Sequence, residues 1–171
     1  LEQWYEENLL DYASYLADSG FCGDRSLTYN EGGYWNQLTV YGARNRLLNA
    51  NPQFSCPQSN DLYTTSSSSK GNKALDYPIG LISLDEVSYA GGLLYNYNND
   101  YYLNIGDVTC WAISPSSFNG NYVAVGTISS GGVLNTTTAS YVEYIRPVIN
   151  LSSSVKITTG NGTTSRPYTI K

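Results

Sequence analysis

A stretch of 35 residues, 108–142, constrains the fold most, because it contains no Asp, Glu, Lys or Arg in a chain of net charge −5. It consists of short segments rich in β-branched residues, such as TCWAISPSSF and NYVAVGTIS, separated by Gly, Asn and Ser. Segments and separators of this kind are typical of short antiparallel strands joined by tight turns. We therefore predict an antiparallel sheet in the second half of the chain.

Two helices are predicted before this sheet. In LEQWYEENLLDYASYLAD, Leu and Tyr recur at spacings of three and four, which predicts an amphipathic helix over residues 1–19 that can continue from a segment upstream. In LISLDEVSYAGG, Ser83 precedes Glu86 by three residues, as in a capping box, and Gly91 ends the helix. Helices followed by strands, with long loops between them, predict a single α+β domain over residues 1–171.

The three cysteines, Cys22, Cys56 and Cys110, include no CxxC motif, so a zinc or redox site is not expected. Cys22 and Cys56 flank a loop-rich section, and they either form a disulfide or remain two buried thiols. Cys110 is then left without a partner, either buried or exposed and reactive. The 17 Tyr, the few Lys and the abundant Ser, Thr, Asn and Gly favour an extracellular location at the cell surface.

Composition also limits the function. The acidic net charge argues against nucleic acid as a partner, and no apolar run is long enough for insertion into a membrane. The absence of His removes the commonest general base and the usual catalytic triads. We therefore expect a protein that is not an enzyme, with no catalytic residues, no cofactor and no metal.

Three segments, YPIGLISLDEVSYAGG, YYLNIGDVTCWAISPSSFNG and YIRPVINL, resemble the C-terminal domains of surface proteins from gut Firmicutes and related bacteria. That resemblance implies a C-type-lectin-like fold with two helices, short antiparallel strands and many loops. The chain lacks the EPN and WND motifs of the calcium-dependent sugar-binding members. No calcium site is expected for that reason.

The chain is also similar to one subset of these domains, the variable proteins of diversity-generating retroelements. In that subset, Asn codons change to codons for Tyr, Ser, Thr, Asp, Gly, Ala and a few apolar residues, and the changing positions contact the ligand. Glu143 does not fit this set of residues but lies within the same range. The resemblance implies the following ligand-binding residues: Thr109, Cys110, Ala112, Ser116, Ser117, Asn121, Tyr122, Ala124, Gly126, Thr127, Asn135, Thr136, Thr137, Ser140, Tyr141 and Glu143.

Our first hypothesis is a bacterial cell-surface binding module, an adhesin-like domain that presents a neutral face rich in Tyr, Ser, Asn and Thr. Tyr provides a large contact area at low entropic cost, while Ser and Asn adapt around it. The expected ligand is a protein or a glycan on another cell, a host surface or a phage. Trp35 is either a core residue or a side chain that stacks on a sugar.

The alternative hypothesis is a structural head domain of a surface filament or pilus subunit. It rests on the Leu and Tyr stripe of residues 1–19, through which copies of the chain can self-assemble. A plain secreted β protein also explains strands rich in Ser, Thr and Asn.

Overall fold

A computed structural model describes residues 1–28, 38–101, 103–104 and 106–171, so Trp35 lies outside the described residues. The secondary structure of these ranges is mixed, which confirms the α+β class. The α-helices are α1 Glu2–Asn8, α2 Gly42–Leu48 and α3 Leu84–Tyr89, and 3₁₀ turns span Leu10–Tyr15, Ser59–Asp61 and Ser130–Gly132. The strands are β1 Phe21–Cys22, β2 Thr39–Val40, β3 Leu62–Tyr63, β4 Ile79–Gly80, β5 Leu93–Leu94, β6 Cys110–Phe118, β7 Val123–Ile128, β8 Val133–Thr138, β9 Val148–Ile149, β10 Ile157–Thr159 and β11 Thr169–Ile170.

The main sheet has five strands in the order β2-β6-β7-β8-β5. Its three long strands are consecutive antiparallel neighbours, as the uncharged stretch predicts. The edge strand β5 differs from the prediction, because it runs parallel to β8, with Leu93 opposite Val133. This strand enters the sheet from α3 rather than from a hairpin turn, so no tight turn requires the antiparallel direction.

Three two-stranded ladders, β1 with β3, β4 with β9 and β10 with β11, accompany the main sheet. The first holds one of the two predicted disulfide cysteines. Cys22 of β1 is bonded to Cys56, across a Cα–Cα distance of 5.6 Å, which confirms the disulfide and excludes two free thiols. Cys110 is a free, buried thiol at the start of β6.

The N-terminal region is less regular than its sequence pattern predicts. The α-helix ends at Asn8, because Leu9 leaves the helical region of φ and ψ, and a 3₁₀ turn follows. Tyr5 is buried and stacks on Tyr77 with ring centroids 4.7 Å apart. Tyr12, from the same predicted stripe, is 57% exposed. Tyr5 of the stripe therefore packs against the domain, Leu9 and Leu16 are half-buried, and Tyr12 faces solvent.

Helix α3 has the predicted capping box and covers one face of the main sheet. The Glu86 backbone N–H donates to Ser83 Oγ, and the Ser83 backbone N–H donates to the Glu86 carboxylate. Leu84 is fully buried, and its backbone N–H donates to Ser114 Oγ of β6 at 2.9 Å. The core forms between this helix and the sheet, from buried residues that include Leu84, Val87, Ala112, Ile128 and Leu134.

A third helix, α2, is joined to α3 by a buried ion-pair network. The Arg46 guanidinium donates to both carboxylate oxygens of Asp85, at 2.7 and 2.8 Å, and to Asp24 at 2.7 Å. The Arg46 side chain is 13% exposed, and those of Asp24 and Asp85 are 2% and 6% exposed. Arg46 therefore links α2, α3 and the segment after β1. Among the described residues, no helix has the length and apolar character needed to cross a bilayer.

Candidate ligand-binding face

The two faces of the main sheet have different environments. A Cβ added at Gly126 would lie 2.6 Å from the Leu84 side chain, so α3 packs directly on that face. Side chains alternate between faces along a strand. Val125 and Thr127, on either side of Gly126, therefore point to the opposite face. Trp111 lies on that face too, because it pairs with Thr127. Val125 and Trp111 are only partly buried. We call this opposite side the outer face.

Seven of the sixteen predicted ligand-binding residues are buried: Cys110, Ala112, Ser116, Ser117, Ala124, Gly126 and Thr127. This burial corrects the prediction, because a side chain in the interior does not reach a macromolecular ligand. At Gly126 the small size permits close packing of the strand on α3, as the approach to Leu84 shows. A charge at such positions would be costly to bury. Part of the uncharged stretch is therefore core sequence.

The other nine predicted residues retain contact with solvent. Four of them are exposed, namely Asn121, Tyr122, Ser140 and Tyr141. Five are half-buried, namely Thr109, Asn135, Thr136, Thr137 and Glu143. The exposed ones come from two segments, the turn between β6 and β7 and the chain that follows β8.

The turn between β6 and β7 holds Tyr122 outward. Asn119 Oδ1 accepts hydrogen bonds from the backbone N–H groups of Asn121 and Tyr122, both at 3.1 Å. Gly120 has a φ of +85°, which a residue without a Cβ adopts readily. Tyr122 is 52% exposed, so much of its ring is available for contact.

The chain after β8 crosses from one end of β6 to the other, and we call residues 139–144 the crossing segment. At its start, the Ala139 N–H donates to the Val123 carbonyl at 2.9 Å. At its end, the Tyr144 N–H donates to the Thr109 carbonyl, and the Trp111 N–H donates to the Tyr144 carbonyl, both at 3.0 Å. Backbone hydrogen bonds therefore fix both ends of this segment.

A shallow apolar concavity of about 330 Å³ lies beside the crossing segment on the outer face. Ala139, the first residue of the segment, and Ile145, which follows its last residue, line it together with Trp111 and Val125 of the sheet. No charged side chain lines it among the described residues. The concavity is therefore suited to an apolar group of a partner.

Five large side chains from the turn and the crossing segment are exposed, and we call them the exposed patch. Their exposed fractions range from 42% for Val123 to 97% for Val142. The patch consists of Tyr122, Val123, Tyr141, Val142 and Tyr144. Sequence reasoning missed Val123, Val142 and Tyr144, although the segment YVEYI, with four large aromatic and aliphatic residues around Glu143, indicates a large contact surface.

The ionisable groups near the start of β6, Cys110 and Arg146, have structural roles. Burial raises the pKa of the Cys110 thiol, and the charge of Arg146 only partly opposes this effect. Arg146 Nη1 donates to the Leu103 carbonyl at 3.0 Å, as expected of an Arg at the edge of a core. The described residues contain no group of three or more His, Cys, Asp or Glu that could hold a metal ion.

The fold and the face together define a disulfide-bonded α+β domain with exposed aromatic and aliphatic side chains in the turn between β6 and β7 and in the crossing segment. Comparisons with protein-family models, with curated proteins and with solved structures find no match. The resemblance to surface proteins of gut Firmicutes therefore stays a prediction.

Proposed function

We propose that this chain is a non-catalytic ligand-binding module of a bacterial cell surface, with a C-type-lectin-like fold, and that it contacts a protein through the exposed patch. The observation that carries the proposal is the exposure of five large, uncharged side chains in the turn and in the crossing segment, together with an apolar concavity that Ala139 and Ile145 line. Exposed apolar surface of unusual extent marks interaction sites more often than single exposed apolar residues do.

The chemistry of the patch favours a protein over a glycan. Val123 and Val142 offer only apolar contact, and Tyr141 and Tyr144 combine a large ring with one hydroxyl. Aromatic residues are enriched at the centres of protein interfaces, whereas charged residues are depleted there. A sugar ligand, with many hydroxyls, needs more polar partners than these side chains provide.

The extracellular location is supported by the disulfide between Cys22 and Cys56. Disulfides of this kind persist in oxidising compartments and are rare in the cytosol. A more specific form of the proposal is that the chain is a variable protein of a diversity-generating retroelement. The variable positions that contact a ligand would then be mainly the exposed ones, Asn121, Tyr122, Ser140 and Tyr141.

A structural subunit of a surface filament is the second candidate, and one observation favours it. Several large apolar side chains of the N-terminal region are exposed, with Leu10 at 51% and Tyr12 at 57%. Packing between copies of the chain would cover them. Assembly through this region uses a different surface from the exposed patch, so the two functions can be tested separately.

The test is binding of purified protein to arrays of bacterial and host surface proteins and of glycans. We expect Tyr122→Ala with Tyr141→Ala to weaken a protein signal at least tenfold, since aromatic side chains carry much of the energy of interfaces. Tyr12→Ala with Tyr168→Ala is the matched control, because these tyrosines are similarly exposed, at 57% and 56%, outside the patch. An unchanged signal in the Tyr122 and Tyr141 variant, with its fold intact, removes the patch from the function.

A further inference from the structure

A second apolar concavity, of about 360 Å³, lies between the β1–β3 ladder, strand β4 and the outer face of β6. Phe21 of β1 and Ile79 of β4 are buried and form its floor. Tyr63 and Leu75 are half-buried and form its walls. Small-molecule sites in proteins are concavities of about this size, apolar for the most part with a few polar groups.

Arg25 is the charged residue that lines this concavity. Its Nε donates to Asp61 Oδ1 at 2.6 Å, and its backbone N–H donates to Asp61 Oδ2 at 2.7 Å. Asp61 is buried, with a side chain that is 1% exposed, whereas the Arg25 side chain is 56% exposed. The guanidinium is therefore held in place from its Nε side, and more than half of the side chain surface stays open to solvent.

A second arginine in this chain shows how many anionic partners a guanidinium can hold. Arg46 binds two carboxylates, because Nη1 donates to Asp24 while Nε and Nη2 donate to Asp85. Within the part of the chain that the structure describes, Arg25 binds one carboxylate, and its Nη2 makes one further, long contact of 3.4 Å to the Asn60 carbonyl. Arg25 therefore keeps donors in the planar arrangement that matches a second carboxylate.

We propose that this concavity binds a small aliphatic carboxylate. The aliphatic chain lies against Phe21, Tyr63 and Ile79, and the carboxylate accepts hydrogen bonds from the outer nitrogens of Arg25. An anion is favoured because, among the described residues that line the concavity, Arg25 carries the charged side chain and no Asp or Glu takes part. The exposed patch takes no part in this site, so failure of either proposal leaves the other standing.

The experiment compares octanoate with octanamide, which has the same chain and no charge, by titration calorimetry and by backbone NMR shifts. We expect saturable octanoate binding with shifts around Phe21 and Tyr63, and at least tenfold weaker binding of octanamide. Leu75→Trp fills the concavity from its wall and is expected to abolish binding. Leu93→Trp, on an exposed edge strand away from the concavity, is the matched control and is expected to bind as wild type does.

The double variant Arg25→Gln with Asp61→Asn tests the charge without leaving a buried carboxylate unpaired. We expect it to reduce octanoate binding at least tenfold and to leave octanamide binding unchanged. Equal binding of octanoate and octanamide to the wild type overturns the proposal. So does octanoate binding that persists in folded Leu75→Trp, or NMR shifts that map to another surface.

Discussion

Replacing Gly126 by Ala tests whether this part of the uncharged stretch is core rather than ligand surface. The added Cβ would lie 2.6 Å from Cγ and Cδ1 of Leu84 and 2.9 Å from its Cδ2. Carbon atoms pack best at about 3.5–4.0 Å, so the helix or the strand has to move by roughly 1 Å. Leu84 is fully buried, and its N–H is bonded to Ser114 Oγ, which resists that movement.

Overpacking of this kind costs about 1–3 kcal/mol. Replacing Gly by Ala where φ is not positive recovers about 0.4–1 kcal/mol by restricting the unfolded chain. We therefore expect Gly126→Ala to lower the free energy of unfolding by about 1–2 kcal/mol. Tyr122→Ala, at an exposed position, is expected to change it by no more than about 0.5 kcal/mol.

Urea denaturation followed by intrinsic fluorescence measures both values. The variant Leu84→Ala provides a further control, because it removes the atoms that the new Cβ meets. In that background Gly126→Ala is expected to cost less than it does in the wild type, which a double-mutant cycle detects as a favourable coupling. A Gly126→Ala protein as stable as the wild type would refute the packing of α3 on this face of the sheet.

Four further predictions concern the disulfide, the ion-pair network and the free thiol. Cys22→Ala with Cys56→Ala is expected to lower the free energy of unfolding by about 4 kcal/mol in the chain-entropy model, given the separation of 34 residues, and urea titration with and without reductant measures it. Arg46→Leu leaves buried carboxylates, including Asp85, without their partner, so we expect a loss of about 3–5 kcal/mol in the same assay, and a loss below 1 kcal/mol would contradict the network. Burial raises the pKa of the Cys110 thiol, so in the folded protein it should resist a thiol reagent at neutral pH and react only after denaturation. At a pH above the ordinary thiol pKa and below the raised pKa of Cys110, the thiol is protonated in the folded chain and ionised in the unfolded chain. The free energy of unfolding should therefore fall as the pH rises through this window, by comparison with Cys110→Ala.

The features that local chemistry determines could be predicted from the sequence. Ser83 and Glu86 are three residues apart, and a capping box depends on that spacing alone. The three long strands follow from β-branched segments between turn residues, since each pairs with its neighbour in the chain. The disulfide was one of two options, and the structure decides between them.

The features that depend on distant packing could not be predicted in this way. The neighbouring sequence does not distinguish Ala124, which is buried, from Ala139, which is exposed. The difference arises because α3 packs on one part of the sheet and not on the other. The pairing of Arg46 with Asp24 and Asp85 joins residues 22 and 39 positions apart, and no sequence pattern indicates such partners. The parallel edge strand β5 likewise depends on the path that the chain takes after its helix.

The crossing segment is fastened at both ends through peptide groups of Ala139, Tyr144 and Trp111, and these bonds involve no side-chain atoms. The residues between the two ends can therefore be exchanged while the backbone keeps the same course. Under the proposed function, point substitutions at Ser140, Tyr141 or Val142 should alter ligand binding and leave thermal denaturation nearly unchanged. An arrangement of this kind separates the evolution of specificity from the maintenance of the scaffold.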